Sequence, residues 1–138
     1  MSKIIASAEA ENTGAFYSTA INVHQHSLTA DELPEYGGLD LGPSPMDYLC
    51  IALASCKAIT LRMYCERKQW PVTSVNVKVT LVKAEDMATA VNTFFCDLSI
   101  KGELSAEQKK RLVEISKACP VQKLLGKPAE IVTIMMES

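Results

Sequence analysis

Gly42-Pro43-Ser44-Pro45-Met46-Asp47-Tyr48-Leu49-Cys50-Ile51-Ala52-Leu53-Ala54-Ser55-Cys56 opens the segment on which the rest of the chain depends. Ser44 is a good helix N-cap, Pro45 suits the first helical position, and Asp47 falls at the third, an S-x-x-D form of the capping box. From Tyr48 to Leu61 only Ser55, Lys57 and Thr60 are clearly polar. A helix apolar on nearly every side is expected to be buried on nearly every side. It reads as too short and too interrupted to span a bilayer. The pattern predicts a central core helix from Pro45 to about Lys68, closed by Trp70-Pro71. Cys56 stands about three turns into that helix.

The composition sets bounds on what surrounds this helix. The 138 residues fit one domain, and 48% hydrophobic with 22% charged residues is ordinary for a soluble globular chain. A net charge of −2 argues against nucleic acid as the main partner. Residues 1–56 carry seven acids and one base, whereas residues 57–138 carry thirteen bases and nine acids. The halves could attract each other within a chain or across a dimer, or form a solvated surface. Met1-Ser2-Lys3-Ile4-Ile5 lacks an apolar leader core, so a cytoplasmic protein without membrane partner is expected, in which disulfides are not structural. The five cysteines include no C-x-x-C pair, so their spacing supports no zinc site. Cys50, Cys65 and Cys96 read as small buried hydrophobes.

Upstream of the helix, residues 3–11 and 15–24 read as strands joined by Asn12-Thr13-Gly14 turn chemistry. A third short strand is expected around Ser27–Ala30, then a Gly-, Pro- and Asp-rich loop from Asp31 to Pro45, broken at Gly37-Gly38. Downstream, Val72–Val82 alternates cleanly, with Val75, Val77, Val79 and Leu81 on one face. Ala84–Ala90 is a polar turn and Val91–Lys101 a second strand, antiparallel to the first. Ser105 with Gln108 makes another capping box and opens a helix from Ala106 to about Ala118. Pro120 can start a short helix ending at Gly126, with Cys119 as its N-cap. Ile131–Met135 is expected to be a final strand. The order of elements is an α+β pattern with largely antiparallel strands. A three-stranded sheet with one helix leaves apolar surface uncovered, and dimerisation is expected to cover it.

Cys56 and Cys119 are the two candidates for chemistry, each against a buried structural role. The thiolate is the reactive form. Cys119, at a helix N-terminus, is expected to gain from the partial positive charge there. Cys56, mid-helix, needs a nearby cation or donor to ionise.

Three stretches resemble the OsmC/Ohr family, the osmotically inducible and organic hydroperoxide resistance proteins. One is His26-Ser27-Leu28-Thr29-Ala30-Asp31-Glu32, followed by Gly37-Gly38 and Gly42-Pro43-Ser44-Pro45. The second is Ala52-Leu53-Ala54-Ser55-Cys56-Lys57-Ala58-Ile59-Thr60-Leu61-Arg62-Met63-Tyr64, ending in Arg67-Lys68-Gln69-Trp70-Pro71. The third is Gly102-Glu103-Leu104-Ser105, then Ala118-Cys119-Pro120-Val121. The resemblance implies a single OsmC-like domain over residues 1–138, in an intertwined homodimer whose antiparallel sheets wrap the central cysteine-bearing helices. It implies a thiol-dependent peroxidase in which Cys56 attacks an organic hydroperoxide and becomes a sulfenic acid, Cys119 condenses with it to a disulfide, and a dithiol reductant restores both. No cofactor is implied.

The family's peroxidases also use an N-terminal arginine to favour the thiolate, and a glutamate ten residues before the first cysteine to hold it. This chain has no arginine before Arg62, and Met46 stands at the glutamate position. His24 and His26, which share a face if that stretch is a strand, and Asp47 are the candidate activating groups. The bland alternatives are exposed histidines and a capping-box aspartate. A His-x-His metal site with Cys56 has only weak support from spacing. Arg62, Arg67 and Arg111 read as solvated helix-face charges, and Tyr48 and Tyr64 as core aromatics. A reading from another class is a non-catalytic dimer binding a small hydrophobic or electrophilic ligand at its interface.

Overall fold

The computed structural model describes residues 3–14, 16–88 and 90–137. Ala15, at the start of an expected strand, and Thr89, inside an expected turn, lie outside them. The chain divides into two compact units, Met1–Leu49 and Cys50–Ser138. Its helices and antiparallel sheets make an α+β fold.

In the first unit, β1 (Glu9–Glu11), β2 (Thr19–Val23) and β3 (His26–Ala30) form an antiparallel sheet in that order. The first two strands are shorter than the sequence pattern predicts. The connection explains part of this. The Asn12 side chain donates to the carbonyl of Phe16 and to Thr19 Oγ1, and accepts from the Gly14 N–H, so the chain after Glu11 serves a wide turn instead of a ladder. His24 leaves β2 at a φ of 54° and forms the tight turn into β3. His24 and His26 therefore do not share a strand face, which corrects the expectation.

The loop after β3 is organised by Asp31. This buried carboxylate accepts the N–H groups of Glu32 at 2.7 Å, Leu39 at 3.3 Å and Leu41 at 3.1 Å. The Asp31 N–H in turn donates to the Pro43 carbonyl. Gly38 lies so close to the Glu32 carbonyl that a Cβ there would overlap it. That is a packing reason for the second glycine of the pair.

α1 (Pro45–Lys68) has the limits its sequence predicts. Ser44 Oγ accepts from the Asp47 N–H at 3.1 Å and Asp47 Oδ2 accepts from the Ser44 N–H at 3.0 Å, a complete capping box. At the other end Gln69 takes a left-handed φ of 59° and the Trp70 N–H reaches back to the Cys65 carbonyl, a Schellman closure. Two expectations about this helix need correction. It is buried along one stripe only, Leu53, Lys57, Leu61, Tyr64 and Cys65, while Ile51, Ile59 and Met63 are exposed. With 24 residues it is also long and apolar enough to cross a membrane. Its stripe nevertheless packs as a core helix does.

In the second unit β4 (Val72–Val82) pairs with β5 (Thr93–Gly102) in antiparallel register, Val77 opposite Leu98 and Val79 opposite Cys96. The alternation predicted for β4 is present, with Val75, Val77, Val79 and Leu81 on the more buried face. α2 (Ala106–Ser116) starts on the capping box of Ser105 and Gln108. α3 (Pro120–Leu125) starts on Cys119. Leu61, Tyr64, Cys65 and Leu112 form the core, packed by Trp70, Val75, Leu98 and Ile115. Arg62 is not merely a solvated charge: it donates to the Val72 carbonyl at 3.0 Å and fastens the helix to the start of β4. Arg111 donates to the Tyr64 hydroxyl. The strand expected at Ile131–Met135 does not form. Those residues are exposed and have no strand partner among the described residues.

Candidate active site

Three elements of the second unit bring the candidate thiols together. α1 supplies Cys56, half-buried, one position away from the packed stripe. Ser116 ends α2, a short link follows, and Cys119 caps α3. Although far apart in sequence, the two thiols are neighbours, close enough for Cys56 to act directly on the Cys119 sulfur. Cys119 is fully buried.

That burial decides the chemistry of Cys119. Desolvation pushes its thiol above the ordinary value, and both the hydrogen bond to Cys56 and negative charge on the Cys56 sulfur push in the same direction. The amides of Gln122 and Val121 face the sulfur and pull its pKa down, but too loosely to count as a cap hydrogen bond. The helix N-terminus expected to activate Cys119 is thus present and outweighed. A six-residue helix has a weak end, and a sulfur without solvent cannot carry charge cheaply. Cys119 is a thiol held protonated beside Cys56. Cys65 is also buried, and desolvation raises its pKa against the pull of the Arg62 charge. That environment suits a structural thiol.

Lys57 adjoins Cys56, and helix neighbours point about 100° apart, so its side chain leaves the helix on another side. It is only 3% exposed. Its Nζ donates to the Ser116 carbonyl at 2.8 Å and to Gln122 Oε1. A signal was available: Leu53, Lys57, Leu61 and Cys65 recur every four residues on the buried face. Lys57, Gln122, Ser116 and Cys96 also line a cleft of about 410 Å³.

The other candidates lie in the first unit. His24 and His26 are exposed, one in the turn and one at the start of β3. The Asp47 carboxylate is engaged in its capping box. Met46 is exposed at the helix start. The Tyr48 hydroxyl donates to the Thr29 carbonyl at 2.6 Å. An apolar cavity of about 620 Å³ lies over this unit's sheet, lined by Ala10, Tyr17, Ile21, Leu28, Ala30 and Tyr48 among others.

Comparison with curated proteins found no match. Solved structures share the fold. A Psychrobacter arcticus protein described as an osmotic stress induced and detoxification response protein superposes with a TM-score of 0.72 at 20% identity, covering 88% of this chain and 89% of that one. An OsmC-like protein from Mycoplasma pneumoniae gives 0.71 at 21% identity, over 91% of this chain and 89% of that one. An organic hydroperoxide resistance protein from Vibrio cholerae, with captopril bound in one of its active sites, gives 0.62 at 16% identity, over 89% and 86%. At these identities the likeness speaks for the fold. The family model of OsmC-like proteins matches residues 37–134, a span that includes α1 with Cys56 and α3 with Cys119. With its motifs, its fold and this match in agreement, the chain belongs to the OsmC/Ohr family of OsmC-like proteins.

Proposed function

We propose that the protein is a cytoplasmic, homodimeric, thiol-dependent peroxidase that reduces organic hydroperoxides, with Cys56 attacking and Cys119 resolving. The observation that carries this reading is the proximity of the two thiols inside the second unit. The Cys56 thiolate attacks the terminal oxygen of ROOH. An S–O bond forms, the O–O bond breaks, and the alkoxide takes up a proton and leaves as alcohol. Sulfur is oxidised by two electrons to the sulfenic acid. The Cys119 sulfur then displaces the hydroxyl, which leaves with the Cys119 proton as water, and the S–S bond forms. A dithiol reduces that bond by exchange and becomes a disulfide itself. Being buried and protonated, Cys119 does not compete for the peroxide but is in place for the second step. The choice of an organic peroxide is supported by the likeness to organic hydroperoxide resistance proteins.

The test is consumption of cumene hydroperoxide with dithiothreitol as reductant. Wild type is expected to turn over, Cys56→Ser to fall to the uncatalysed rate, and Cys119→Ser to react once and stall. Equal rates for wild type and Cys56→Ser would overturn the reading. In the same assay His24→Gln and His26→Gln separate an activating role, which lowers the rate, from a turn role, which leaves it unchanged.

A further inference from the structure

Lys57 presents a problem that the two cysteines do not explain. A lysine ammonium is costly to bury unless its donors are met. Here they are met by the Ser116 carbonyl and Gln122 Oε1. These acceptors stand three residues to either side of Cys119, one ending α2 and the other in the first turn of α3. The Gln122 amide also faces the Cys119 sulfur. One side chain therefore ties the residue after Cys56 to both flanks of the segment that holds Cys119. A disulfide forms only within a narrow range of Cα separation and S–S torsion, so a small slip at the α2–α3 junction would forfeit it.

We infer that Lys57 is a positioning residue for the Cys56–Cys119 pair, bracing the Cys119 segment against α1 so that the two sulfurs stay within bonding reach. This deepens the proposed function and rests on its choice of redox pair, but it concerns the bond and not the peroxide. It is therefore tested without peroxide. In mixtures of oxidised and reduced dithiothreitol, the two protein thiols give up two electrons and two protons to the cyclic disulfide of the reagent. The fraction bonded is read by alkylation and mass spectrometry.

Lys57→Met keeps the bulk and loses the donors. Its disulfide equilibrium constant is expected to fall about tenfold, a potential about 30 mV less negative. Gln122→Leu, at a half-buried position, is expected to shift the same way by less, and Gln122→Glu, which keeps the acceptor, to match wild type. The Gln122 pair carries the test if Lys57→Met folds poorly. Wild-type equilibria in the variants that fold, a shift towards a more stable bond, or a lowered melting temperature with no change in the equilibrium would each overturn the inference. So would a wild type that forms no Cys56–Cys119 bond in this buffer. A wild type that forms the bond and consumes no hydroperoxide would instead remove the proposed function and leave the brace standing.

Discussion

Cys119 shows how far a residue's chemistry is set by neighbours distant in sequence. Its place before Pro120 was legible, and so was the helix it caps. Its burial was not, because the neighbour that meets its sulfur, Cys56, comes from α1, far away in sequence. The raised pKa has a stability consequence. The folded thiol stays protonated above the unfolded value of 9.0, so the stability it contributes is complete below that pH and lost as pH rises through the folded pKa. Cys65 behaves alike. Denaturant melts taken from neutral to alkaline pH should show stability falling from about pH 9, less steeply in Cys65→Val than in wild type. Lys57 teaches the same lesson from the other side. Its spacing from Leu53 and Leu61 placed it on the buried stripe, but its acceptors come from α2 and α3 and could not be read locally.

Among elements, those closed by their own sequence were the legible ones. α1 has a capping box at one end and a left-handed residue at the other, and α2 has the reciprocal Ser105–Gln108 pair. Ser105→Ala should cost about 1 kcal/mol in chemical denaturation. Leu61→Ala, at a site without solvent in the core, should cost about 2–5 kcal/mol. The strand expected at Ile131–Met135 shows the limit of local pattern: its apolar run is there, but a strand exists only where another pairs with it, and neither sheet of the described residues takes it up. The segment after Asp31 shows loop composition in sequence, but not the carboxylate that organises it. Burial works against that carboxylate, yet the N–H groups of Glu32, Leu41 and Leu39 hold its pKa below 3.8. Its contribution to stability is therefore present above pH 3.8 and lost as pH falls through the lower folded value. Asp31→Asn should be less stable at neutral pH and should lose this part of the acid dependence, as followed by thermal melts at decreasing pH.

At the scale of the molecule, the α+β fold followed from the order of elements, whereas burial did not. α1 leaves Ile59 58% and Met63 64% exposed, and Ile131, Val132 and Met135 are exposed near the C-terminus. Apolar surface of this extent is what a second copy of the chain would cover. Sedimentation should give twice the chain mass, and Ile59→Asp together with Met63→Glu should shift the population towards monomer. The central claim, that Cys56 and Cys119 are a working redox pair, is tested most directly by mass spectrometry after one equivalent of cumene hydroperoxide. The account predicts a Cys56–Cys119 cross-linked peptide with Cys50, Cys65 and Cys96 still open to alkylation after denaturation. Intact thiols at Cys56 and Cys119, or bonds scattered among all five cysteines, would contradict it.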